Sequence, residues 1–282
     1  MKNNLIKSPL NYIGGKHKLL PQILPLFPTD INMFVDMFCG GFTVGVNVTA
    51  NKVVGNDKFT QLIGMLQEFK NTPIESVLSH IDKRIAEYDL NLTNVEGYNR
   101  LRADYNKTHN PLDLFVICCF SFNHQLRFND KGECNISFGK DRSKYNNTIK
   151  KNLIEFVTKI QENKYILTNK SFEEIKIDKL SKDDLVYCDP PYLITLASYN
   201  EKGGWNEDNE CKLLKTLDDI SFNGTKFALS NVIEHKGKEN YILKKWAEDY
   251  NIHYLNYNYS NCNYQAKDKN ANSTVEVLIT NY

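Results

Sequence analysis

Short apolar runs alternate with amphipathic segments in the first seventy residues and predict a repeating strand–helix pattern. The predicted order is strand 34–38, helix 42–49, strand 52–55 and helix 59–69. Gly40 and Gly41 follow the first strand, and Asp57 follows the second. A glycine turn after one strand and an acid after the next are typical of parallel sheets that bind nucleotides at their carboxyl edge.

The pattern changes after residue 69. Helical spacing predominates over residues 73–120, and the polar residues 123–140 predict a hairpin with its tip at 129–132. Parallel character then returns as strand 184–188, helix 211–220, strand 226–229, helix 239–250 and strands 252–257 and 274–280. We therefore predict an α/β protein, a sheet with helices on both faces, interrupted by a helical and hairpin insertion at about 69–151.

Composition places the chain among ordinary globular proteins, with 41% hydrophobic and 24% charged residues. No apolar run reaches the roughly 18 residues of a membrane helix, and residues 1–9 lack the apolar core of a signal peptide. These features predict a cytoplasmic protein without a membrane segment. The seven cysteines include no Cys-x-x-Cys pair, which disfavours a zinc ribbon or a thioredoxin-like site.

The net charge of +1 is low for a protein that binds nucleic acid, but the charge is unevenly distributed. Residues 121–151 carry seven basic and three acidic side chains, a net +4, and residues 1–20 carry four lysines and no acid. Such segments fit contact with phosphate groups. Solvated surface loops explain the same charges, so charge alone leaves both readings open.

The motif Asp189-Pro190-Pro191-Tyr192 directly follows the predicted strand 184–188. Consecutive prolines cannot continue a helix or a sheet ladder, so the backbone is stiff and its carbonyl groups stay free to accept hydrogen bonds. A carboxylate and a fixed carbonyl would each accept a hydrogen bond from one of the two N–H groups of an exocyclic amine, while the tyrosine ring stacks on the base. A strand-ending turn with a surface acid and a packed tyrosine is the alternative.

Two glycine-containing loops are candidates for cofactor contact. Tyr12-Ile13-Gly14-Gly15-Lys16 lets the backbone approach a ligand closely, although a flexible loop before a helix also explains it. Phe38-Cys39-Gly40-Gly41 ends the first strand, and Asp57 would bind a pair of ribose hydroxyls. The Gly-x-Gly-x-x-Gly fingerprint is absent, which disfavours NAD.

Taken in chain order, these motifs resemble the Dam-type adenine-N6 DNA methyltransferases. The matching elements are Tyr-x-Gly-Gly-Lys, then Asp-x-Phe-x-Gly-Gly from Asp36, Asn-Asp after a strand, and the late Asp-Pro-Pro-Tyr. Residues 122–139 are similar to the family's target-recognition hairpin, and Ser230-Asn231 and residues 275–279 also match. The resemblance covers nearly the whole chain.

The resemblance implies a Rossmann-like methyltransferase core that transfers a methyl group from S-adenosylmethionine to N6 of a flipped adenine. The substrate would be a short double-stranded DNA site containing GAT, such as GATC. No metal is implied, and a cognate restriction endonuclease in the same system is compatible without a required complex. The core would comprise residues 1–68 and 152–282, with a target-recognition domain at 69–151.

The same resemblance assigns roles to individual residues. The catalytic residues would be Asp189, Pro190, Pro191 and Tyr192. The cofactor-binding residues would be Tyr12, Gly14, Gly15, Lys16, Asp36, Phe38, Gly40, Gly41, Asp57 and Asp189. The DNA-binding residues would be Asn123, Arg127, Asn129, Asn135 and Lys140.

Three positions depart from the family pattern. Tyr12 stands where many relatives have tryptophan, Phe42 where glycine or another small residue is common, and Ser137 where proline is common. The first two bear on how the cofactor packs. The third, with His124 and Gln125, leaves the recognition sequence open.

Other functions remain as alternatives. Cytosine-N4 methylation uses the same geometry, more often with Ser-Pro-Pro-Tyr, and RNA or protein-glutamine methylation often uses a motif that begins with asparagine. Cytosine-C5 methylation needs a nucleophilic cysteine, usually after proline, and this chain has no Pro-Cys dipeptide. A non-catalytic DNA-binding module of the same fold is the remaining possibility.

Overall fold

A computed structural model describes residues 5–12, 14–195, 204–256 and 274–282. Its α-helices are α1 (Leu20–Ile23), α2 (Thr60–Asn71), α3 (Ile74–Glu87), α4 (Val95–Thr108), α5 (Pro111–Phe120), α6 (Asn147–Ile160), α7 (Glu207–Phe222) and α8 (Tyr241–Trp246). Its strands are β1 (Met33–Asp36), β2 (Lys52–Asn56), β3 (Tyr165–Thr168), β4 (Leu185–Cys188), β5 (Lys226–His235), β6 (Lys238–Glu239), β7 (Asn251–Leu255) and β8 (Thr274–Thr280). None of the described helices is long and apolar enough to cross a membrane.

The described residues form two compact units. The helical unit lies within residues 1–15, 40–47 and 59–169, and the sheet unit lies within residues 16–39, 48–58 and 170–282. The chain is a mixed α/β protein with a central sheet and helices, as predicted.

The sheet unit contains neighbouring strands in the order β2-β1-β4-β5-β8-β7, with β6 paired to β5. β2, β1, β4 and β5 are parallel, whereas β8 is antiparallel to both β5 and β7. Asp36, at the end of β1, pairs with Gly55 on one side and with Tyr187 on the other. The carboxyl ends of β1, β2 and β4 therefore lie at one edge of the sheet, where ligands bind in this class of fold.

Alternating side chains bury both faces of the central strands. On one face Val35 and Val186 join a core with the apolar residues of α7 and α8. On the other face Phe34 and Tyr187 pack on Phe27, whose ring centroid lies 5.6 Å from that of Phe34 and 5.7 Å from that of Tyr187. Strands covered on both sides need nearly continuous apolar sequence, which is why they were predictable from short apolar runs.

The helical unit is built around α5. Its residues Leu112–Phe120 are all buried, and α2, α3 and α4 pack against it. Asn94 and Asn110 cap α4 and α5 by accepting hydrogen bonds from first-turn backbone N–H groups. Asparagine also caps α6, α7 and α8, so the start of most of the longer helices is encoded locally.

A short antiparallel ribbon follows α5 in the helical unit. Ser121 bridges Phe138, and Phe128 bridges Cys134, on either side of a turn in which the N–H of Gly132 donates to Asn129. The predicted hairpin and its tip at 129–132 are thereby confirmed.

The structure corrects several element predictions. The helix predicted over residues 42–49 is wrong: residues 41–47 form turns, because Phe42 adopts a left-handed conformation with φ of 58°. The helix predicted over 239–250 is shorter, since Asn240 caps α8 and its last turn is a 3-10 helix. α6 and β3 were not predicted, and residue 257, the predicted end of a strand, lies outside the described residues.

Candidate functional site

The carboxyl edge of the sheet unit gathers four of the predicted site residues. Asp36 ends β1, Phe38 lies two residues later, Asp57 follows β2, and Asp189 follows β4. Because these strands are parallel neighbours with matched ends, the four side chains belong to one edge of the sheet. Asp57 is buried, with 8% of its surface exposed.

Asp189 lies in a network of charged and polar side chains. The Nζ atom of Lys16 is 2.7 Å from Asp189 Oδ1 and 3.6 Å from Glu276 Oε1. The hydroxyl of Tyr192 donates to the same two oxygens, at 2.9 Å and 3.3 Å. The lysine ammonium also lies 5.1 Å from the centre of the Tyr192 ring. One cation and one phenol thus fix two carboxylates.

Exposure separates the members of this network. The side chains of Lys16 and Glu276 are 4% and 3% exposed, whereas that of Asp189 is 19% exposed. Asp189 is therefore the carboxylate that a substrate can reach. Burial, together with the charges of Asp189 and Glu276, raises the pKa of the Tyr192 phenol well above its ordinary value, so the hydroxyl stays a donor.

Aromatic rings surround Phe38 at the same edge. Its ring centroid is 5.5 Å from that of Phe172 and 5.8 Å from that of Trp205. The indole N–H of Trp205 donates to the fully buried Glu210, which also accepts from the carboxamides of Asn231 and Asn240. Burial raises the pKa of Glu210 although these three donors favour its charged form. The network fixes the Trp205 side of this aromatic cluster.

The Asn56 carboxamide ties the end of β2 to two other segments. It donates to the carbonyls of Met37 and Lys170 and accepts from the Lys170 N–H. The N–H of Cys39 in turn donates to the Asn56 carbonyl at 2.7 Å. The loop after β1 and the segment before Phe172 are thereby held next to Asp57.

Cys188 precedes the Asp-Pro-Pro-Tyr motif and packs inside the sheet. Its thiol is fully buried and lies 3.7 Å from the Met37 sulfur. Burial and the nearby charges of Asp36 and Asp189 raise its pKa well above the ordinary value. A thiol held protonated is not a nucleophile, so the strand-packing interpretation of Cys188 fits the structure.

In the helical unit, Tyr12 lies against the glycine loop. A Cβ atom added at Gly40 would come within 2.8 Å of the Tyr12 ring, and one at Gly41 would come within 3.3 Å of the Tyr12 Cβ. Gly40 also has a φ of +47°, and Gly14 a φ of +78°. Glycine at position 40 is thus required twice, by its conformation and by the close approach of the ring.

The predicted DNA-binding residues lie on the ribbon of the helical unit and just after it. Arg127, Lys140 and Asn123 are exposed, and Asn123 has a left-handed backbone. Asn129 holds the turn, since its side chain accepts from the N–H groups of Lys131 and Glu133. Asn135 is half-buried and pairs with Arg127 across the ribbon, its N–H donating to the Arg127 carbonyl at 3.2 Å.

The sequence model of the D12 class N6 adenine-specific DNA methyltransferases matches residues 12–261. The chain belongs to this family. The match spans the N-terminal glycine loop, the ribbon that follows α5 and the Asp-Pro-Pro-Tyr motif. It confirms the resemblance to the Dam-type enzymes that the motifs had indicated.

Individual relatives agree with the family. Type II methyltransferase M.FokI of Planomicrobium okeanokoites is 48% identical over 284 residues, which cover 99% of this chain and 43% of that protein. Modification methylase StsI of Streptococcus sanguinis is 47% identical over 283 residues, covering 98% and 43%. The DNA adenine methylase of Escherichia coli strain K12 is 26% identical over 204 residues, covering 71% and 69%. The chain thus spans less than half the length of the first two relatives.

Glu276 is a member of the network that sequence reasoning did not assign to the site. It lies within β8, and the Tyr192 hydroxyl that contacts it is 84 residues away in the chain. The available signal was an acid inside an otherwise apolar strand, because a charged residue is seldom buried unless it is paired.

Proposed function

We propose that this chain transfers a methyl group from S-adenosylmethionine to N6 of an adenine flipped out of a short double-stranded DNA site. The observation that carries the proposal is the Asp-Pro-Pro-Tyr motif at the carboxyl end of β4, with Asp189 held by Lys16. Membership of an adenine-specific family supports it. We further propose that the site contains GAT, as in GATC, and that residues 69–151 form the target-recognition domain between the two parts of the core, 1–68 and 152–282.

The motif's chemistry follows from the problem that adenine N6 presents. The lone pair of this nitrogen is delocalised into the ring, which makes the amine a poor nucleophile. Lys16 and Tyr192 both contact Asp189 Oδ1. We therefore assign Asp189 Oδ2 and the Pro190 carbonyl oxygen to accept one hydrogen bond each from the two N–H groups of the adenine amine. This pulls the nitrogen towards tetrahedral geometry and frees its lone pair, while the Tyr192 ring stacks on the base.

When bound, S-adenosylmethionine supplies an already activated methyl group. What the protein must add is alignment of donor and amine, a contribution from positioning. The residues at the carboxyl edge of the sheet unit suit this ligand, because Asp57 offers a carboxylate for ribose hydroxyls and Phe38 offers an aromatic face. The roles of Tyr12, Gly14, Gly15, Gly40 and Gly41 in holding the same ligand are proposed from the family motif.

Asp57→Ala should weaken S-adenosylmethionine binding by about 1.5–3 kcal/mol, the contribution of hydrogen bonds to a charged group. Calorimetry on the purified variant measures this directly. Asp183→Ala is a matched control, since that exposed acid lies just before β4, away from the carboxyl edge. Equal cofactor affinity in wild type and Asp57→Ala would mean that the acid serves only the fold.

Arg127→Ala should lose discrimination at one base next to the target adenine. An arginine that reads a guanine edge contributes about 1–3 kcal/mol on the cognate site and far less elsewhere. Methylation of a duplex panel, with each base of the site varied in turn, measures the preference. Lys131→Ala, at the exposed ribbon tip, is the comparison for a phosphate contact, which should weaken all duplexes alike. If Arg127→Ala lowers methylation of all duplexes equally and keeps the full base preference, Arg127 contacts phosphate and does not read a base.

The target site itself is accessible to one experiment. Expression of the chain in a host without DNA methylation, followed by methylome sequencing, should reveal modified adenines within one short sequence. The same host expressing Asp189→Ala should show none. A modified base other than adenine would contradict the proposal, and an adenine site without GAT would correct the target while leaving the activity.

A further inference from the structure

The ribbon has a first strand, residues 121–129, and a second strand, residues 133–138. Helix α4 carries a row of side chains that bind the backbone of the second strand. The Asn106 carboxamide accepts from the N–H of Cys134 at 2.8 Å and donates to the Cys134 carbonyl at 3.1 Å. Arg102 and the Tyr98 hydroxyl both donate to the carbonyl of Ile136, at 2.6 Å and 3.0 Å. The helix therefore hydrogen-bonds this strand as a neighbouring strand would.

These bonds satisfy the outer edge of the ribbon. On the inner edge, the N–H of Asn135 donates to the Arg127 carbonyl, and the Glu133 carbonyl accepts from Asn129. Backbone N–H and C=O groups of successive residues along a strand point alternately towards and away from the partner strand. Cys134 and Ile136 alternate with Glu133 and Asn135, so their backbone groups point away from the first strand and towards α4. Side-chain hydrogen bonds thus replace a third strand and blunt the open edge.

Near Ile136 the first strand does not form a regular hydrogen-bonded ladder with the second strand. Asn123 and His124 both adopt left-handed conformations, and the pairing register shifts between the Ser121–Phe138 bridge and the Phe128–Cys134 bridge. A ribbon interrupted in this way does not fix its own position, because an isolated hairpin is at best marginally stable. The contacts from α4 supply the missing constraint.

The constraint acts on the surface proposed to read DNA. Cys134 and Ile136 are buried, at 2% and 3% exposure, and Phe128 on the facing strand packs its ring 6.4 Å from that of Tyr105 on α4. Alternation along each strand places Arg127 and Asn135 on the other face of the ribbon. Any tilt or slip of the second strand against α4 would move both residues together.

We propose that Asn106, supported by Arg102, is a specificity-determining positioning residue, which sets the ribbon's register so that the exposed Arg127 meets the correct base edge. This rests on the proposed function, because it assumes that the ribbon reads the target site. Asn106 is the sharpest test of it, because among the three α4 side chains that bind this strand, Asn106 is the one whose amide binds both backbone groups of a single residue.

The experiment compares Asn106→Ala and Asn106→Asp with wild type on the duplex panel. The second variant keeps an acceptor for the Cys134 N–H and turns the donor into an oxygen that faces a carbonyl. We expect the ratio of kcat/KM on the cognate site to kcat/KM on the best single-base variant to fall about tenfold in Asn106→Ala, within the range that one misplaced base contact gives. The kcat on saturating cognate DNA and the affinity for S-adenosylmethionine should change by less than about twofold.

Hydrogen exchange of the peptide that contains Cys134 and Ile136 provides a readout independent of activity, and it should be faster in both variants. Lys107→Ala is the control, because this side chain is 75% exposed on the same helix and pairs only with Asp104 among the described residues. Retained discrimination in variants whose faster exchange shows that the contacts between α4 and the second strand have opened would overturn the inference. A uniform loss of kcat/KM on every duplex would overturn it as well. A wild-type protein that methylates no DNA would instead overturn the proposed function, on which the inference depends.

Discussion

Asp189→Ala should abolish methyl transfer and leave the fold intact. The variant removes the one substrate-accessible carboxylate of the network, and loss of a preorganised electrostatic group typically lowers kcat by about 10²–10³-fold. The fold should persist because Lys16 keeps its ion pair with Glu276 and β4 stays buried. Incorporation of labelled methyl groups into DNA, together with a thermal unfolding curve, measures both parts.

Asp189→Asn and Asp183→Ala sharpen this test. The first keeps the shape of the side chain and removes its charge, so it should be nearly as inactive. The second removes an exposed acid six residues earlier and should be fully active. A folded Asp189→Ala protein with more than a few per cent of wild-type activity would contradict the assignment of the motif.

Lys16→Met should inactivate the enzyme and also destabilise it by about 3 kcal/mol, the lower part of the range for breaking a buried ion pair. Lys16 is 4% exposed and contacts both Asp189 and Glu276, so the substitution leaves two carboxylates that have lost their shared cation. Lys52→Met, at an exposed lysine on β2, should cost little by comparison. Denaturant unfolding gives the free energies of unfolding.

A double variant separates charge from packing at this position. Glu276→Gln should cost stability in the wild type but restore part of it in the Lys16→Met background, because it removes one of the two carboxylates. Additive losses in the double variant would mean that Lys16 stabilises the fold through its aliphatic stem and not through these ion pairs.

The strands that carry the site were predictable because their signal is local. β1 and β4 are buried on both faces and β2 is buried over most of its length, so each is a short apolar run, and the glycine or acid at its end marks the carboxyl edge. Asp57 and Asp189 could therefore be placed at that edge from the sequence. Family resemblance added the roles that we propose for them, which the residues alone left open.

What could not be predicted depends on contacts distant in sequence or on one unusual backbone. Glu276 reaches the Tyr192 hydroxyl across 84 residues, and Asn106 reaches Cys134 across 28. The helix expected over 42–49 failed at Phe42, whose apolar side chain fits the helical pattern although its φ is left-handed. The periodicity of the sequence predicts neither the two long-range contacts nor the Phe42 conformation, because tertiary packing determines them.

The central claim is that this chain methylates adenine N6 in DNA, and analysis of the product nucleosides tests it most directly. The purified chain would be incubated with duplex DNA and S-adenosylmethionine carrying a CD₃ group, and the DNA digested and examined by mass spectrometry. We predict N6-methyldeoxyadenosine with the deuterated methyl group, present with wild type and absent with Asp189→Ala. Label in N4-methyldeoxycytidine, or no label in any nucleoside from folded wild-type protein, would contradict the account.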